Sequence, residues 1–208
     1  MLAFLLSNYI SLLSLINPLG AMPVFLSLTA NHPTNWIKMQ LLKTILNVFV
    51  ICVLSYLIGN HILGFFGISI NALKIAGGIL ISRSGFQLLN AKHKKDIGKK
   101  IQEESLQKED ISFTPLAMPL LSGPGSISFL INLSIQTKDD SLYVIYVLIS
   151  ILLVCISIFI VLFLAPKILT FMGQAGLKAM SKIMGFIVLS IGIQLIISSV
   201  ISILSLNN

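Results

Sequence analysis

The sequence predicts an all-α membrane protein: six transmembrane helices built as two inverted three-helix repeats, with the first and fourth helices broken. Three observations predict it. Only 10% of the 208 residues are charged, 56% are hydrophobic, and the mean hydropathy is +0.98, whereas a soluble domain carries about 25% charged residues. So few charges cannot cover a water-facing surface of this size, and lipid must be the solvent for much of the chain. The apolar residues fall into six runs, and the first and fourth runs are interrupted at corresponding places in the two halves.

The first run covers about 2–28 and is punctuated by Asn17-Pro18-Leu19-Gly20 and by Pro23. Its start has no basic region and no small-residue cleavage site, so it reads as a span rather than a removed signal peptide. The second run covers about 41–63 and the third about 69–90. The fourth, about 113–133, is broken by Pro115, Pro119 and Gly123-Pro124-Gly125; the fifth covers 142–165 and the sixth 183–206. Each run is apolar on every face, the mark of a helix in lipid. Period-2 alternation in ten-residue segments, which a barrel would need, is missing. The chain reads as a single membrane domain, 1–208, with repeat one at about 1–91, a solvated cytoplasmic linker at 92–110 and repeat two at 111–208.

The net charge of +7 has its explanation in topology. With the N-terminus outside, the inner loops hold Lys38 and Lys43, the lysines of 92–108, and Lys167, Lys178 and Lys182. The outer side holds only Lys138, with Lys74 at a helix entrance. The positive-inside rule then places both termini on the outer side. No Arg-rich stripe or aromatic-interleaved basic face points to nucleic acid.

The halves match beyond their span count. Aligning Pro18 with Pro124 gives an offset of 106; Lys74-Ile75-Ala76-Gly77 answers Lys182-Ile183-Met184-Gly185 at 108, and Gly85-Phe86-Gln87-Leu88 answers Gly192-Ile193-Gln194-Leu195 at 107. Because each repeat holds an odd number of spans, the second enters the membrane from the opposite side, as in many secondary transporters. Proline and glycine interrupt a helix and free backbone groups that lipid cannot satisfy. Such backbone survives only when buried in protein or lining a watery cavity. Paired breaks in two halves therefore point to a midplane site, and half-helix N-termini suit a carboxylate. The candidate substrate-binding residues are Asn17, Pro18, Gly20, Ser122, Gly123, Pro124, Gly125 and Ser126, with Ser122, Ser126 and Asn17 supplying hydroxyls and an amide. Proline and glycine also serve in membrane helices as plain kinks and close-packing points.

These same residues carry a family resemblance. Asn17-Pro18-Leu19-Gly20 followed by Pro23 resembles the first-helix signature of the MarC family. Phe66-Gly67-Ile68-Ser69-Ile70 running into Ile75-Ala76-Gly77-Gly78 is similar to the start of its third helix. Pro115-Leu116-Ala117-Met118-Pro119 with Ser122-Gly123-Pro124-Gly125-Ser126 resembles its fourth-helix motif, and Met184-Gly185-Phe186 through Gly192-Ile193-Gln194 its last helix. The resemblance spans essentially the whole chain. It implies a multi-pass protein of the bacterial inner membrane and relates the chain to carriers of small neutral amino acids such as alanine and glycine, and to the wider LysE-type exporters. Arg83 departs from the pattern: a charge in the third span must face the bundle or snorkel to the interface.

The expected function is secondary transport of small solutes, most readily small neutral amino acids, by alternating access of one repeat against the other. The alternative is a structural or assembly role without transport. No cofactor or metal is expected. All seven acids lie in 96–110 or at Asp139 and Asp140, so no span carries a carboxylate relay. An enzyme is not expected, because no H-E-x-x-H site, G-x-S-x-G elbow or intramembrane aspartate pair occurs. A drug pump would want aromatic cages and a cavity acid, and the sequence offers neither. Cys52 and Cys155 read as small buried apolar residues, His61 as interfacial, and His32 and His93 as loop residues.

Overall fold

A computed structural model describes residues 1–30, 32–90, 110–137 and 140–205. Among these the regular structure is helical throughout. Helix α1 spans Leu2–Ile16 and α2 spans Pro18–Thr29, with Asn17 between them in the left-handed conformation (φ 47°, ψ 65°). Asparagine tolerates that region better than other non-glycine residues. Asn17 closes α1 by donating its N–H to Leu13 O at 2.9 Å, and caps α2 by accepting Gly20 N–H on Oδ1 at 3.1 Å. Pro18 then occupies the first helical position, where its missing N–H removes no bond.

Helix α3 runs unbroken over Thr34–Phe66 and starts a full two turns before the apolar run does. Gly67, at φ 64°, turns the chain, and Ser69 Oγ accepts Ala72 N–H at 3.1 Å to cap α4, Ile70–Leu89. The linker expected at 92–110 lies outside the described residues except for Asp110. The fourth run opens with an irregular, wide-turned segment, Ser112–Leu121, in which Thr114 and Met118 are extended. Each precedes a proline, Pro115 and Pro119, whose ring excludes the helical region for the residue before it. Helix α5, Pro124–Gln136, follows at an angle of 67°. Helix α6 is Ser141–Phe163, capped by Asp140, and α7 is Ala165–Ser205, interrupted at Gly173 (φ 63°, ψ 178°).

Among the described residues four stretches are long and apolar enough to cross a membrane: Leu2–Thr29, Thr34–Gly59, Ser141–Phe163 and Lys178–Leu204. The bent pair Ser112–Leu121 and Pro124–Gln136 makes a fifth if taken as one span. Helix α4 has the length expected of the remaining span, but Asn71, Lys74, Ser82, Arg83, Ser84 and Gln87 dilute its hydropathy. Large apolar side chains lie exposed along these helices, among them Leu46, Ile79, Leu152 and Phe186, as lipid-facing surfaces require.

One continuous hydrophobic core joins α1, α2, α3, the 112–121 segment, α5 and α6, and takes in α7 only as far as Met172. Cys52 and Cys155 are buried in it as free thiols. Helix α4 and the later part of α7 stand outside that core and pack mainly on each other, antiparallel. Their contact is made through glycine. A Cβ on Gly85 would sit 2.4 Å from Leu189 N and 2.8 Å from Gly185 O, and one on Gly78 would sit 2.7 Å from Gly192 O. Backbones approach this closely only where side chains are absent.

Candidate functional site

The two breaks meet. A cavity of about 290 Å³ is lined by Asn17, Gly20, Ala21 and Val24 from the first break and by Pro119 to Leu121 with Gly123 to Ser126 from the second. Its remaining wall is Leu15 and Ile16 at the end of α1, Ile81, Ser84, Gln87 and Leu88 of α4, and Val188 of α7. Six of the eight residues singled out from the sequence therefore line one space: Asn17, Gly20, Gly123, Pro124, Gly125 and Ser126.

The other two do not. Pro18 is buried at the start of α2 and shapes the break without lining the cavity. Ser122 is fully buried beside the Cys52 thiol on α3 instead, and its hydroxyl makes no hydrogen bond to a described residue. The reason is the bend: Ser122 precedes the turn into α5, so its side chain points back toward α3, whereas Ser126 sits in the first turn of α5. Ser126 Oγ donates to Gly123 O at 2.9 Å, which leaves its lone pairs as acceptors.

The two half-helix N-termini differ in their caps. At α2 the end is occupied by the chain's own carboxamide oxygen, Asn17 Oδ1. At α5 the cap position is Gly123, which offers no side chain, so the first-turn amides of Gly125 and Ser126 have no side-chain cap. An acceptor-rich group is favoured at such an end by both hydrogen bonding and the helix dipole. The glycines also set the clearance. A Cβ on Gly125 would lie 2.8 Å from Ile81 Cγ1, and one on Gly123 would lie 3.2 Å from Pro119 O.

Sequence reasoning missed two polar lining residues, Ser84 and Gln87. Ser84 Oγ donates to Leu80 O at 3.0 Å, and the Gln87 carboxamide lies half-buried at the cavity wall. The signal was present, since Gln87 sits in one of the short matches between the halves, Gly85-Phe86-Gln87-Leu88 with Gly192-Ile193-Gln194-Leu195. Arg83 is exposed and does not line the cavity, although it stands one turn before Gln87 on the same face of α4. It lies six residues from the end of α4, within snorkelling reach of the interface.

A second polar cluster fixes the start of the bent segment on α3. Lys43 Nζ pairs with Asp110 Oδ2 at 2.9 Å, Ser112 Oγ donates to Asp110 Oδ1 at 2.6 Å, and Ile111 N–H donates to Gln40 Oε1 at 3.2 Å. The Ser112 hydroxyl, then the Lys43 ammonium, hold the Asp110 carboxyl down to about 2. His32 stacks on Trp36 beside this cluster with ring centroids 3.8 Å apart. Among the described residues no group of three His, Cys, Asp or Glu side chains is placed to hold a metal ion.

Fold and site together define a multi-pass helical membrane protein with a cavity at two interrupted helices. The chain belongs to the MarC family of integral membrane proteins, whose family model matches residues 2–204. It is 36% identical over 193 residues to a UPF0056 membrane protein of Pyrococcus horikoshii, covering 92% of each chain. It is 36% identical over 200 residues to a UPF0056 membrane protein of Buchnera aphidicola from Schizaphis graminum, covering 95% of this chain and 92% of the relative. The UPF0056 inner membrane protein MarC of Escherichia coli O157:H7 is 32% identical over 207 residues, covering 95% and 94%. No solved structure matches the chain.

Proposed function

We propose that this protein is a secondary carrier for small solutes, with small neutral amino acids as the substrate class, and that the cavity at the paired breaks is its binding site. The observation that carries the reading is the meeting of two breaks, 106 residues apart in sequence, at one cavity. At about 290 Å³ the cavity lies at the small end of ligand pockets, which suits a solute of a few heavy atoms. A substrate carboxylate would accept from the Gly125 and Ser126 amides, and the ammonium would be met across the cavity by the carboxamide oxygen of Gln87 and by Ser84.

We take the architecture to be six spans in two inverted repeats, with both termini on the outer side. Helix α4, at 20 residues, extends about 30 Å and so has the reach of a span. Partner choice supports the repeat. The first broken span packs on α6 and the second on α3; α4 packs on α5, and α7 on α2. Exchanging the halves leaves this pattern unchanged. The glycine crossing obeys the same exchange in the 107 register that pairs Gly85 with Gly192: Gly78 then falls on Gly185, one residue from the 108 register of Lys74 to Gly77, and the four meet as Gly78 with Gly192 and Gly85 with Gly185.

The test is uptake of labelled L-alanine and glycine into proteoliposomes holding the purified chain, beside Gly123→Trp. Saturable uptake that Gly123→Trp lacks, with the variant still folded in the membrane, is the expected result. Equal uptake by the variant would remove the site assignment. No uptake of either amino acid, with solute preloaded on either side, would overturn the amino-acid reading and favour a role without transport.

A further inference from the structure

The separation of the core into two bodies has a mechanical counterpart in the chain. Helix α4 and α7 beyond Gly173 lie outside the main hydrophobic core and are held to each other by a backbone-to-backbone glycine contact. Each is entered through a glycine at positive φ: Gly67 (φ 64°) before α4, and Gly173 (φ 63°) within α7. A Cβ at either glycine would meet nothing within 4 Å, so neither conformation is imposed by packing. The two are 106 residues apart, the same offset that relates Pro18 to Pro124. The cavity lies where the two bodies face each other, with Ile81, Ser84, Gln87, Leu88 and Val188 on one side and the two breaks on the other.

Neither sequence half packs as a unit. The first half's broken span rests on α6 and the second half's on α3, so moving one half against the other would tear every main contact. The α4–α7 pair meets the rest chiefly at α5 and α2.

We propose that α4 and the Gly173–Ser205 part of α7 move as one two-helix body, pivoting on Gly67 and Gly173 against the core body, and that this motion opens and closes the cavity at the breaks. Hinges are a few positions that absorb backbone change while packed elements stay rigid. At Gly173 the φ and ψ values lie in a region that only glycine occupies comfortably. The proposal rests on the carrier reading for its purpose but not for its geometry.

The experiment is spin-label distance measurement on the full chain in nanodiscs, with and without L-alanine, in a Cys52→Ala, Cys155→Ala background. The labelling positions are the exposed residues Ile79 on α4, Ile203 on α7, Leu46 on α3 and Leu152 on α6. Ile79 with Ile203, and Leu46 with Leu152, should each give one narrow separation. Ile79 with Leu46 should give two, and Gly67→Ala with Gly173→Ala should shift their populations. A single narrow Ile79–Leu46 separation under all conditions, or a split Ile79–Ile203 separation, would overturn the proposal. Proteoliposome uptake separates the two ideas. Uptake without a split cross-body distance leaves the carrier reading and removes the pivot; a split without uptake does the reverse.

Discussion

Asn17 both ends one helix and begins the next, because one side-chain oxygen and one left-handed backbone suffice for both. Its counterpart at the second break is Gly123, which leaves the α5 end open to the cavity. Gln87 faces that end across the same space, so Gln87→Leu should weaken a charged solute's binding by about tenfold or more, the loss expected for a hydrogen bond to an ionic group. The check is the half-saturating L-alanine concentration, with Phe86→Leu, which points to lipid, unchanged. Asp110 makes a separate prediction. Its carboxyl is held at about 2 in the folded protein against about 3.9 in an unfolded chain, so its contribution is present above about pH 4 and is lost as pH falls toward 2. Both partners of the Lys43 pair are about half exposed, so the effect stays within about 1 kcal/mol. Melting in detergent across that range should show a slope that Asp110→Asn flattens. The sequence displayed the prolines and glycines of the site openly. It could not show that Ser122 turns toward Cys52 while Ser126 stays at the cavity, because a bend of 67° decides that.

The helices themselves divide by what their sequences reveal. Helices α3 and α6 are uniformly apolar in their middles, and their positions were legible to within a turn or two. The first part of α7 was not, because its lysines and small residues read as a loop while tertiary contacts of Ile168, Leu169 and Met172 hold it helical. The glycines of the α4–α7 crossing reverse the ordinary helix rule. Replacing an exposed helical glycine by alanine gains up to about 1 kcal/mol, and Gly64, with open space around it, should behave that way. Gly85→Ala and Gly192→Ala should instead each destabilise by about 1–3 kcal/mol, since the added carbon would meet backbone atoms at 2.4–2.6 Å. Opposite shifts in detergent melting temperature for Gly64→Ala and Gly85→Ala would bear this out; a gain at both would mean the crossing is looser than drawn.

At the level of the whole molecule, the short internal matches at offsets near 107 pointed to two related halves, but gave no sign that each helix finds its main partners in the other half. Hydropathy is blind to partner choice, since lipid-facing and protein-facing apolar surfaces look alike. The arrangement that results is a core body carrying both breaks, a two-helix body facing them, and a polar-edged cavity between. On this account the cavity is reached by water and small solutes, while the exposed apolar face of α4 that carries Phe86 meets lipid. The most direct measurement is the rate at which a water-soluble, thiol-specific reagent modifies Gln87→Cys and Phe86→Cys in sealed vesicles, in the Cys52→Ala, Cys155→Ala background. Fast modification of Gln87→Cys, slowed by L-alanine, with Phe86→Cys unreactive, is the predicted result. Equal rates at the two positions, or no reaction at Gln87→Cys from either side, would contradict it.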